Sequence, residues 1–158
     1  MRRYFFKALV VLFTATIWVS CDKDDNNDDN QTEDTFKLSG TASGTNERPD
    51  PVTSDGTATI TGTYHKENKM LDYTITFANL SVAASNMHFH GPATTDEAAG
   101  VQVAITGFPT ATSGTVSGME TLDAAKEADL LAGKWYYNIH TSNHPGGEIR
   151  GQVLATHD

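Results

Sequence analysis

Across residues 69–80 the chain alternates without a break: Leu71, Tyr73, Ile75 and Phe77 fall on one side, Asp72, Thr74 and Thr76 on the other. A period of two is the signature of a strand with one buried and one wet face, and such strands belong to antiparallel sheets, since parallel sheets bury both faces. The same period governs most of the chain from Phe36 onward, where Thr, Gly, Ala and Val dominate between scattered aromatics. It predicts strands over residues 36–42, 56–64, 69–80, 86–90, 100–106, 134–141 and 147–154, with a weaker candidate over 113–119. Residues 44–55 carry Pro49 and Pro51 and read as a loop, because proline cannot serve in a central ladder.

One helix interrupts this pattern. Residues 123–132 (DAAKEADLLA) are strong helix formers, with Asp123 or Thr121 as N-cap and Gly133 placed to end the helix. Leu122, Leu130 and Leu131 would anchor it to the sheets. Short strands separated by turn signals, with no βαβ rhythm, predict an all-β fold: an antiparallel Greek-key β-sandwich of about seven to eight strands with one short helix.

The first 35 residues have a different character. Arg2, Arg3 and Lys7 precede an apolar run over residues 8–19, and Ser20 stands just before Cys21, the one cysteine of the chain. The run is shorter than the roughly 20 residues a spanning helix needs, so residues 1–20 read as a cleaved export signal. Cys21 followed by DKDDNNDDN resembles a bacterial lipoprotein signal of the Bacteroidetes type, in which the thiol is acylated. That resemblance implies an outer-membrane lipoprotein facing the cell exterior, held by lipid on Cys21. An unpaired exposed thiol would otherwise oxidise or cross-link. Losing residues 1–20 removes three basic and no acidic groups, taking the formal charge from −9 to −12. Residues 21–35, with seven carboxylates against one lysine, have almost nothing apolar to bury and read as an extended acidic tether. The domain, residues 36–158, remains acidic and shows no basic stripe, which excludes nucleic acid as its natural partner. With no second cysteine, no intramolecular disulfide can form.

The chemistry-bearing residues cluster in two stretches, NMHFHGPA at residues 86–93 and KWYYNIHTSNHPGGEIRGQ at 134–152. Parity puts His88 and His90 on one face of their strand, away from Met87 and Phe89. It also separates Trp135, Tyr137, Ile139, Ile149 and Val153 as core from Asn138, His140, Glu148, Arg150 and Gln152. Pairing across the turn at residues 141–147 would set His140 near Glu148 and Asn138 near Arg150. If the strand of His88 and His90 lies alongside, three imidazoles converge on a metal site: His88, His90 and His140 as ligands, with Glu148, Arg150 and Asn138 beside them. Such a set suits copper, or less well zinc. The same residues equally form a ladder of cross-strand polar pairs, each worth roughly 0.2–1 kcal/mol. Tyr136 stands alone among the aromatics on the polar face, too little for a sugar platform. No nucleophile elbow, P-loop, dinucleotide fingerprint or HExxH helix is present.

HFHGPA, a short helix leading into LLAGKWYYNIHT, and then PGGEIRGQ resemble the CHRD domain, named from chordin and found in many bacterial secreted proteins and lipoproteins. KLSGTASGTNERPDPVTSDGTATI resembles the opening segment of that family, so the likeness spans nearly all of residues 37–153. His88, His90, His140, Glu148 and Arg150 fall on the family motif. The resemblance implies a β-sandwich of unassigned function; the expected role is a non-enzymatic binding or structural module of the cell envelope, toward an unidentified envelope or extracellular protein. The histidines are also loosely similar to the copper site of superoxide dismutases, which use a His-x-His strand, a later strand histidine and an arginine. The bridging histidine, zinc loop and disulfide of those enzymes have no counterpart here, so oxidoreductase activity is the remote alternative.

Overall fold

A computed structural model describes residues 34–157 of the 158. The expected signal peptide, Cys21 and nearly all of the acidic tether lie outside the described residues. Eight strands and one α-helix follow in order: β1 (Thr35–Ser43), β2 (Thr57–His65), β3 (Met70–Ala78), β4 (Ala84–His90), β5 (Val101–Ala104), β6 (Gly114–Thr121), α1 (Ala124–Leu131), β7 (Trp135–Thr141) and β8 (Ile149–His157), with a 3₁₀ turn at Gly44–Asn46. All the pairings are antiparallel, and the strands form one sheet in the order β5-β4-β7-β8-β1-β2-β3-β6. The all-β class with a single short helix is therefore observed.

The sheet curls so that its two ends face each other, and the two layers of the sandwich are halves of one continuous sheet. Tyr73 of β3 meets Phe89 of β4 edge-on at 5.0 Å, although four strands lie between them in the hydrogen-bonded order. Leu80 and Ala84 donate backbone hydrogen bonds to Thr112 and Ala111, closing one end of the curl. The apolar side of each alternation points into this fold: Leu71, Ile75, Met87, Phe89, Trp135, Tyr137, Ile139, Ile149 and Val153 have no exposure. Burial on this scale contributes roughly 25 cal/mol per Å² of apolar surface.

β6 is a full strand, paired with β3 over eight positions from Met70↔Thr121 to Phe77↔Gly114. Its sequence signal is weak because two inward positions are glycines whose space is filled by neighbours. A side chain at Gly118 would run into the Tyr73 ring, and one at Gly114 into Pro109 and Phe77. The helix starts as its sequence predicts, with the Asp123 carboxylate accepting from the Ala125 and Lys126 amides at 3.0 and 2.9 Å. It ends at Gly133 in the left-handed region, φ +67°.

Candidate metal centre

β4 places Met87 and Phe89 in the core and sends His88 and His90 to the opposite side. β7 runs antiparallel beside it, with Asn138 opposite His88, Tyr136 opposite His90, and His140 opposite Asn86. His140 is thus the diagonal neighbour of His88 on the same face. Three ring nitrogens, one from each of His88, His90 and His140, lie within 4.8 Å of one another. His88 Nδ1 and His140 Nε2 are 3.1 Å apart. One ion with bonds of about 2.0–2.1 Å to nitrogen would sit between such atoms after small side-chain rotations.

Backbone carbonyls fix two of the rings. His140 Nδ1 donates to Pro145 O at 2.9 Å, and His90 Nδ1 donates to Ala99 O at 3.0 Å. His140 thereby leaves its Nε2 lone pair to face His88, the arrangement that orients histidine for metal binding, while His90 Nε2 faces Asn138. In the neutral, metal-free cluster His88 Nδ1–H donates to His140 Nε2; binding an ion there requires the His88 proton to sit on Nε2 instead. The Asn138 side chain lies 3.0 Å from His90 Nε2. It is the Asn138 oxygen that faces this nitrogen, while the Asn138 amide N–H is turned to the Glu47 carboxylate, so an ion held by His90 Nε2 would have to displace this contact.

All three imidazoles are held below the ordinary histidine range, first by burial. At His88 the neighbouring His140 and His90 add to the effect, at His140 the neighbour is His90, and at His90 Arg150 contributes against the hydrogen bonds that favour protonation. The cluster is therefore neutral near pH 7, as lone-pair donation requires.

Arg150 is kept from the imidazoles by Tyr136. The His90 ring stacks on Tyr136 at 4.8 Å with 3° between planes, and the Arg150 guanidinium carbon lies 3.6 Å from the Tyr136 ring centroid. The strand order β4-β7-β8 sets the phenol between the two. Tyr136 also clasps Ala99 by two hydrogen bonds of 3.2 Å, steadying the carbonyl that orients His90. Sequence parity identified Tyr136 as outward-facing but gave no sign of this position.

Glu148 corrects the sequence reading. It does not join the histidines; its carboxylate accepts from Ser54 Oγ, Ser81 N, Ser81 Oγ and Thr141 Oγ1, each at 2.7 Å. Strand β8 begins one residue later, at Ile149, and Gly147 has φ +131°. The alternation that ordered Arg150 and Gln152 therefore does not reach residue 148. The residue behind Asn138 is instead Glu47, buried at 4% exposure, from the loop after β1. No local pattern in the sequence marks it.

Comparison with known proteins gives a family match: the CHRD domain, over residues 38–153. No curated protein and no solved structure matches the chain.

Proposed function

The chain belongs to the CHRD-domain family, and from that premise we propose that it is a non-enzymatic, metal-binding module of the cell envelope, with His88, His90 and His140 as ligands to a transition-metal ion. The observation that carries this reading is the convergence of three neutral imidazole nitrogens within 4.8 Å. Copper suits the set better than zinc: the donors are all imidazole, with no thiolate or carboxylate among them, and nitrogen sites favour Cu(II) over Zn(II). Binding is favoured over catalysis because Glu148, the carboxylate that strand parity set near His140, is spent on Ser54, Ser81 and Thr141. Among the described residues, no carboxylate is grouped with the three histidines.

Titration of the full chain with Cu(II) and Zn(II), against a His88→Ala/His90→Ala double variant, tests the assignment. Loss of two of three ligands should weaken Cu(II) binding by at least about 100-fold. Equal, weak binding by both proteins would sink it.

The same proposal places the domain outside the cell, carried by lipid on Cys21 and a run of acidic residues. Its support is the leader and the position of the lone cysteine. Cys21→Ala should move the protein from the membrane fraction to the soluble one; a variant that stays with membranes would refute lipid anchoring.

A further inference from the structure

Four arginines occur in the chain: Arg2 and Arg3 in the leader, and Arg48 and Arg150 in the domain. Both domain arginines line one cavity of about 410 Å³, with Ser39, Thr41, Asn46 and Gln152. That size falls in the range of about 300–1,000 Å³ typical of small-molecule sites. On an acidic domain, two guanidinium groups brought together repel each other, and the Arg48 charge is felt at Arg150. Glu47 and Asp96 act on Arg150 in the opposite sense and offset that repulsion, so what marks the cavity is the hydrogen-bonding capacity the two groups leave unused.

That unused capacity can be followed atom by atom. Arg48 is pinned by Nη1 donating to Glu47 O and Thr45 O at 2.8 and 3.2 Å, and its Nη2 meets Asp96 at 3.4 Å on the open rim. Such exposed pairs contribute about 0–1 kcal/mol. Arg150 is 2% exposed; Nη2 donates to Thr94 O at 2.8 Å, and Nη1 has no hydrogen-bond partner among the described residues. Glu47, which acts on Arg150 from behind, is pushed up to about 7 by burial and is only partly ionised at neutral pH. Gln152 adds an unmet acceptor: its Nε2 serves Ala93 O and Gly133 O, while Oε1 is buried without a partner. Arg150 and Gln152 alternate on β8, so their side chains share a face.

We infer that this cavity binds a small hydroxylated carboxylate of the sugar-acid class, its carboxylate between Arg48 and Arg150 and a hydroxyl donating to Gln152 Oε1. A carboxylate matches the planar guanidinium forks. It has no proton to give Gln152, so the ligand must carry a hydroxyl as well. Ser39, Thr41 and Asn46 offer further polar groups for such a ligand, and Leu154 of the lining, 53% exposed, offers an apolar edge. Tyr136 separates the cavity from the histidines, so this site does not depend on the metal reading.

The test is calorimetric titration of the full chain in the presence of EDTA with D-glucuronate, D-glucose and inorganic phosphate, with amide chemical shifts followed in parallel. Saturable glucuronate binding, at least about tenfold tighter than glucose or phosphate, with shifts at Asn46, Thr95 and Gln152, supports the inference. Arg48→Gln, at the cavity mouth, should weaken glucuronate roughly tenfold and leave Cu(II) binding unchanged. Glucose binding as well as glucuronate would overturn the carboxylate assignment. Phosphate binding as tightly as glucuronate would overturn the hydroxyl, and no saturable binding would overturn the site.

Discussion

Glu148 is fully buried, and four donors converge on its two oxygens. Burial pushes this carboxyl up, but the hydrogen bonds from Ser54, Thr141 and Ser81 together outweigh it and hold the group below the usual range. A depressed folded-state value means its stability contribution is present above the unfolded value, about 4.3, and is lost as pH falls through the folded one. Glu148→Gln should therefore cost about 2–4 kcal/mol at pH 7 in urea unfolding and flatten the acid side of the stability curve. A neutral effect would show that the hydrogen bonds contribute nothing net. Glu47 has the opposite sign. Burial raises it to about 7, so the stability linked to its protonated form is present below about 4.3 and is lost as pH rises through about 7. Glu47→Gln should be near neutral at pH 5 and more stable than the natural chain at pH 8, on the order of 1–3 kcal/mol. The same difference at both pH values would rule out the buried acid as the cause.

At the scale of elements, β1 and β8 approach each other closely where Gly40 faces β8. Their register holds on both sides, Ser39↔Leu154 and Ser43↔Arg150. A Cβ at Gly40 would collide with the Gln152 carbonyl, a backbone atom that cannot yield without opening the ladder. Gly40→Ala should cost about 1–3 kcal/mol, read as a lower thermal midpoint; an unchanged midpoint would mean the strands can part freely there. Strands with a wet face were legible to within a few residues, because alternation is a local property. β3 is an example, expected over residues 69–80 and observed at Met70–Ala78. It stops short at both ends because Lys69 and Asn79 take positive φ, 58° and 59°. The weak signal of β6 has a tertiary cause, since Phe77 and Tyr73 occupy the space its glycines leave.

For the whole molecule, a ligand that binds only the folded state raises stability by mass action. Copper at about 100 times its dissociation constant should add about 2.7 kcal/mol, a rise of roughly 10 °C in thermal midpoint for a domain of this size. EDTA should reverse the shift, and His140→Ala should abolish it; a shift that survives in the variant would place copper elsewhere. The sequence by itself determined the all-β class, the one helix with its Asp123 cap and the core faces of β3, β4 and β7. It also placed His88, His90, Asn138 and His140 outside the core. Each follows from strand parity or helix propensity, which neighbouring residues set. The tertiary structure decided that β7 pairs with β4, bringing His140 to His88 across 52 residues. It also put Tyr136 between His90 and Arg150, and sent Glu148 away to Ser54 and Ser81. Parity says which way a side chain leaves its strand, but not which strand lies next to it, nor where a turn breaks the alternation.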